Sequence, residues 1–351
     1  MSENHENTKK GRGCGFGCAL MIGLFLGLGL LVAVLLLSGL GALSLPQEQK
    51  MAGLFRKHHL VDDVGEDESP YMVETWSSGR GDAKVVRIPV AGMIMLGESS
   101  WYVGNANTVL RSIRRATHDP EVEGLILEIN SGGGGITDSD IIYKALLDFK
   151  AAQEGRAIVS IMGDVAASGA YYIALASDHI LAHPTTLTGS IGVIMQSYNV
   201  KELAAKLGVQ DVTIKSGANK DLLNPFQDVK PEQKELLQKV ISAMHDRFVS
   251  LVAQHRKLPK ETVLPLADGR VFLADEAVKN RLIDGIGYNE DAQAKMAELL
   301  HTDAVKVFRY DEQVTLMDLF ASRPGIGLSS ELGRFMRAMT TDAKLMFKWA
   351  W

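Results

Sequence analysis

The sequence predicts an α/β domain with a largely parallel sheet, preceded by one transmembrane helix. Three observations carry this reading. Strand-like and helix-like runs alternate between Lys84 and Ile173. A run of four glycines (Gly132 to Gly135) and a serine among small residues (Ser168) both fall where a strand gives way to a helix. Finally, the stretch from Ala19 to Leu45 is almost wholly apolar, and no charge occurs between Arg12 and Glu48.

The apolar stretch comes first in the chain. About 20 such residues are needed for a helix to cross a bilayer core of about 30 Å, so this one spans with some tilt. Its core is too long for a cleaved signal peptide, despite the weakly site-like Gly41-Ala42-Leu43-Ser44. Lys9, Lys10 and Arg12 precede the span and Lys50, Arg56 and Lys57 follow it, so charge bias nearly ties. The tighter cluster before the span places the amino terminus in the cytoplasm. Cys14 and Cys18, the two cysteines, sit at its mouth, either inert or acylated.

Asp62, Asp63, Glu66, Asp67 and Glu68, with Gly65 and Pro70, read as a stalk. A strand over Lys84 to Val90 is followed by helical spacing at Val109, Leu110, Ile113 and Ala116. Next come a strand at Leu125 to Ile129, the glycines, and a helical stripe at Ile141, Ile142, Ala145, Leu146 and Phe149. A third strand over Ala157 to Ile161 leads through a turn at Gly163-Asp164 to a helix opening near Ser168. In such alternating domains the chemistry gathers at the loops after strand carboxyl ends.

Composition narrows the function classes. A net charge of −5 over 351 residues supplies no basic face for nucleic acid. The chain after Cys18 is free of cysteine, which removes disulfides, thiolate metal sites and a cysteine nucleophile. No H-E-x-x-H or paired-cysteine spacing suggests a metal, so no cofactor is expected.

A serine becomes a nucleophile only beside a base and with donors ready for an oxyanion. Ser168, in Ala166-Ala167-Ser168-Gly169-Ala170, has neighbours small enough for a sharp turn and for a carbonyl to approach the backbone. The same residues also suit a helix packed tightly on a sheet. The glycine run exposes backbone N–H groups to an oxyanion, or forms a plain turn. His179 and His183 have no acidic partner in a motif.

Four segments in order resemble the signal peptide peptidase A family. They are Gly163 to Ile173 around Ser168, Leu187 to Ile194, Thr213 to Asp221, and Asp268 to Phe272 continuing to Leu282 to Gly287. The similarity covers residues 84 to 295 and matches the short, bacterial form with one catalytic copy. It implies a Clp protease/crotonase-like fold of repeated strand-strand-helix turns. It further implies a Ser/Lys dyad that degrades signal peptides left in the membrane, with Ser168 as nucleophile and Lys220 as base. Short-form relatives form dome-like rings in which the lysine reaches the neighbour's serine. For the oxyanion hole, a helix starting at Ser168 points the Gly169 N–H at the reacting oxygen, and Gly133 or Gly134 of the glycine run supplies another. Gly132 stands where relatives often carry proline, which leaves the choice between the two open.

A lysine acting as base at neutral pH must fall from about 10.4 to roughly 7–8, which requires burial without a counter-ion. Asp221 is therefore expected to point away and the Ser190 hydroxyl to orient the ammonium. The resulting plan has a cytoplasmic tail (1–17), an anchor (18–45), a stalk (46–82), a Ser/Lys peptidase domain (83–298) and an amphipathic extension (299–351). The expected partners are signal peptides and other membrane-associated peptides, the lipid bilayer and further copies in a ring. The location is the bacterial inner membrane, single-pass, with the catalytic domain outside the cytoplasm. A crotonase-like acyl-CoA enzyme and a non-catalytic membrane scaffold are the competing readings. The tail after Asp311 reads as a membrane-lying segment, an occupant of a neighbour's active site, or an ordinary packed helix.

Overall fold

The computed structural model describes residues 72–97, 104–312 and 346–348. The tail and anchor expected over 1–45 lie outside the described residues, as do residues 46–71 of the stalk and most of the tail after Glu312. Among the described residues no helix is long and apolar enough to cross a membrane.

A twisted, mostly parallel sheet forms the centre. In space its strands run β1 (Met72–Ser78), β10 (Val305–Glu312), β2 (Ala83–Ala91), β3 (Val122–Ser131), β5 (Ala157–Ala167), β6 (His179–Ala182) and β9 (Gly285–Ile286). β7 (Leu187–Gly189) adds parallel to the end of β5, and β8 (Val271–Leu273) adds antiparallel to β7. Both faces are buried, as apolar parallel strands require. Val86, Ile88 and Val90 of β2 enter the larger core, while Val85 enters the smaller one. Helices α1 (Ala106–His118), α2 (Ile136–Ala152), α3 (Gly169–Ala174) and α5 (Pro231–Arg256) contribute to the larger core, and α8 (Asn289–Leu299) to the smaller. Shorter helices α4 (Lys201–Lys206), α6 (Lys260–Val263) and α7 (Ala274–Lys279) complete the set among the described residues.

Three expectations change. β1 and β10 belong to this sheet, so it draws strands from both the expected stalk and the expected extension. Alternation alone could not reveal this, because β10 pairs with strands far away in sequence. The glycines Gly133–Gly135 form a short strand, β4, rather than a loop. Nor does the chain turn at Gly163-Asp164: β5 continues to Ala167 through a bulge, since Ile129 pairs with Met162 but Ser131 pairs with Ala166. Asn130 braces the bulge, its Oδ1 accepting the Val165 N–H at 3.2 Å. Bulges re-aim the residues beyond them, and here those residues lead to Ser168.

Candidate active site

β5 divides its pairing. Its first half lies beside β6, and its last three residues lie beside β7, ending at Ala167 opposite Gly189. Thr188 Oγ1 donates to Ala166 O at 2.7 Å inside the core and pins this end. The next residue, Ser168, is 1% exposed and caps α3 with φ 57 and ψ −119. This is a conformation that L-residues avoid. Its N–H donates to Gly189 O at 2.8 Å and its carbonyl accepts from Tyr172 N at 2.9 Å. The backbone is thus fully engaged. Its hydroxyl makes no side-chain cap bond. Gly169 follows as the first residue of α3, where an N–H has no intrahelical acceptor.

β4 packs against α3 and leads directly into α2. Ser131 Oγ accepts the Gly133 N–H at 3.1 Å and donates to Gly92 O at 2.6 Å. Ile94 N donates to Gly133 O at 3.0 Å, and Gly135 N donates to Ile94 O at 2.8 Å. Gly133 O and Gly135 N therefore face Ile94. By strand alternation the N–H and C=O of Gly134 face the opposite edge. A Cβ at Gly134 would lie 2.1 Å from Ile94 O, so only glycine allows this approach. Along that opposite edge runs β11 (Met346–Lys348), antiparallel, with Phe347 opposite Gly134. This stretch of the tail is a strand, not a helix.

Ser190 is the first residue after β7, is buried, and has φ 49. Its N–H donates to Arg270 O at 2.8 Å. The structure thus brings Ser168, Ser190 and Gly169 into one corner, with the glycine strand packed against α3. Lys220 makes no hydrogen bond or ion pair with this corner among the described residues. It lies in a well-exposed segment, and its ammonium forms no hydrogen bond or ion pair among the described residues. Asp221 gives its carboxylate to Lys215 Nζ at 2.7 and 2.8 Å, which holds its pKa below the usual carboxylate range. It is thus engaged away from Lys220.

The histidines differ in part from expectation. His179 Nδ1 lies 3.9 Å from Asp284, a partner that sequence spacing did not suggest. That carboxylate is already committed to Arg256 at 2.7 and 3.0 Å, and burial pushes the His179 pKa down. His179 lies on β6, the strand beside the first half of β5, away from Ser168.

Small residues at a strained strand-to-helix turn, with a glycine strand packed against the helix that follows, suit a hydrolase of the acyl-transfer class. A model of peptidase family S49 matches residues 150–303, a range that includes Ser168, Ser190 and Lys220. A candidate signal peptide peptidase SppA of Enterococcus faecium is 37% identical over 246 residues, 69% of this chain and 71% of that protein. Protease 4 of Salmonella typhi is 33% identical over 228 residues, 65% of this chain and 36% of that one. The chloroplastic serine protease SPPA of Arabidopsis thaliana is 32% identical over 224 residues, 64% of this chain and 32% of its own length. The chain belongs to peptidase family S49 and is a serine peptidase.

Proposed function

We propose that this chain is a membrane-anchored endopeptidase that degrades signal peptides after their release, on a Clp protease/crotonase-like fold. Ser168 is the nucleophile and Lys220 the general base. The single observation that carries the reading is the buried, strained turn at Ser168, with its backbone engaged and its hydroxyl free of a cap bond. Such strain concentrates at reacting centres. Ser168 Oγ attacks the scissile carbonyl carbon and its proton passes to Lys220 Nζ. The resulting oxyanion takes hydrogen bonds from the N–H groups of Gly134 and Gly169. Gly133, whose N–H is engaged by Ser131, serves the strand instead. When the tetrahedral species collapses, the leaving amine takes the proton from Lys220. Water then hydrolyses the acyl-enzyme by the same route in reverse.

Extended peptide suits this site. β4 has one edge on Ile94, and an antiparallel strand already lies along the other. A substrate strand added there makes main-chain hydrogen bonds regardless of sequence. That property fits an enzyme that clears varied apolar peptides.

Lys220 reaches Ser168 from a second copy of the chain, and Ser190 orients its ammonium. Support comes from exposure: Val212 is 84% and Ile214 is 97% exposed on the same segment, an apolar surface that asks for a partner. Repetition of that contact makes a ring. The apolar run from Ala19 to Leu45 supports the single-pass anchor, with the peptidase domain outside the cytoplasm at the bacterial inner membrane. The test is hydrolysis of a fluorogenic apolar peptide together with labelling by a serine-reactive probe. Wild type labels and cleaves, Ser168→Ala does neither, and Lys220→Ala loses cleavage. Equal labelling of wild type and Ser168→Ala sinks the proposal.

A further inference from the structure

Helix α3 spans only Gly169–Ala174, too short to hold its place by its own hydrogen bonds. Two tyrosines anchor it. Tyr171, wholly buried, donates its hydroxyl hydrogen to Leu282 O at 2.8 Å. Tyr172, 1% exposed, donates to Asp140 Oδ1 at 2.6 Å and accepts from Arg247 Nε at 3.1 Å. Arg247 Nη2 reaches the same Asp140 oxygen at 2.6 Å and closes the ring of contacts. The Tyr172 ring is held edge-on to Tyr143, with centroids 5.3 Å apart, and tilted against Phe248 at 5.1 Å. Burial and the Asp140 carboxylate both push the Tyr172 hydroxyl's pKa up, so it stays a donor.

The placement of these partners gives the ring its meaning. Asp140 lies about one turn into α2, the helix that begins where the glycine strand ends. Tyr172 lies about one turn into α3, the helix that Ser168 caps. One hydrogen bond therefore joins the helix entered from Ser168 to the helix entered from the glycine strand. Arg247 belongs to α5, which follows the segment carrying Lys220.

We propose that Asp140 and Tyr172 are positioning residues: their hydrogen bond, clamped by Arg247, fixes the separation between Ser168 Oγ and the Gly134 N–H. The inference rests on the reading of Ser168 as nucleophile. Neither residue touches the substrate. A displacement of about 1 Å at a reacting centre costs about 100-fold in rate, so loss of the bond acts on turnover rather than on substrate affinity.

The experiment measures kcat and KM of the full-length protein in detergent micelles on a fluorogenic peptide. Tyr172→Phe and Asp140→Ala each lower kcat about 10- to 100-fold and leave KM within about twofold. Because both act through one bond, the double variant is no slower than the slower single. Asp140→Asn keeps an acceptor for the Tyr172 hydroxyl and returns kcat to within about threefold of wild type. Asp140 is 39% exposed at the side chain, so its variants keep the test open should Tyr172→Phe fold poorly. A Tyr172→Phe or Asp140→Ala enzyme within about twofold of wild type in kcat overturns the inference, as does an Asp140→Asn enzyme as slow as Asp140→Ala. Ser168→Ala is run alongside. Activity that survives in it removes the underlying nucleophile reading, whereas an inert Ser168→Ala beside a fully active Tyr172→Phe removes the positioning inference alone.

Discussion

Ser168 and Ser190 stand side by side at the ends of two paired parallel strands, each the first residue beyond the last pair, Ala167 with Gly189. Both have positive φ, 57 and 49, and both are buried. Ser168 N–H donates to Gly189 O and Ser190 N–H donates to Arg270 O, each at 2.8 Å. Two hydroxyl-bearing residues thus leave the sheet at one corner, each in a conformation that glycine adopts more readily.

Strain of this kind costs about 1–3 kcal/mol per residue. Ser168→Gly removes it, offset by the greater backbone entropy that glycine loses on folding, about 0.5–1 kcal/mol. Ser168→Ala keeps it. We expect the glycine variant to be more stable than the alanine variant by about 1 kcal/mol, with both inactive. Chemical denaturation of the two variants decides this. A glycine variant less stable than the alanine variant means that Ser168 holds no strain.

Much of the sheet was legible from the sequence. Leu125 to Ile129 and Ala157 to Ile161, the mostly apolar stretches of β3 and β5, read as strands because both their faces are covered. Ile142, Leu146 and Phe149 mark α2 by their spacing. The nearness of Ser190 to Ser168 was not derivable from local pattern, because it depends on which half of β5 meets β7. β1 and β10 were hidden for a similar reason: strand order is a tertiary property. The glycine strand carries no side chains, so no alternation marks it. Lys220 has no local signal at all, and only its motif singles it out.

β11 pairs with β4 along the edge proposed for substrate. A chain lacking residues 346–351 therefore has that edge clear, and its KM for an apolar peptide falls several-fold while kcat stays near the full-length value. A synthetic peptide of the last nine or so residues inhibits the shortened enzyme competitively. Unchanged KM after removal, together with no inhibition, excludes the tail from the substrate strand.

Acid sensitivity follows from two histidines. His255 accepts or donates a 2.6 Å hydrogen bond with Tyr143, and burial, then the charges of Lys150 and Arg256, push its pKa below 6.5 against the opposing pull of Asp178. His179 is likewise held below 6.5, chiefly by burial. The unfolded chain therefore binds more protons than the folded one just below pH 6.5, and folding stability rises with pH through that region. It falls as pH drops from 6.5 and levels off only beneath the folded-state values. His255→Gln flattens part of this slope and His179→Gln another part, read as denaturation midpoints between about pH 7 and 5. A slope unchanged in both variants assigns the effect to other groups.

The last expectation concerns where the base comes from. The Lys220 ammonium has no partner among the described residues, its neighbour Asp221 is occupied by Lys215, and Val212 and Ile214 of the same exposed segment lie open to solvent. A burial deep enough to make a lysine a base at neutral pH requires cover that the described residues of one chain do not give this segment. If the cover is the neighbouring copy's active-site corner, two inactive proteins complement each other. In co-assembled Ser168→Ala and Lys220→Ala chains, a site that joins the intact serine of one to the intact lysine of the other works. Random equal mixing leaves about a quarter of sites complete, so about a quarter of wild-type kcat returns from parents that each have none. Were serine and lysine to act within one chain, every site in the mixture would lack one of them, and the mixture would stay as inactive as its parents.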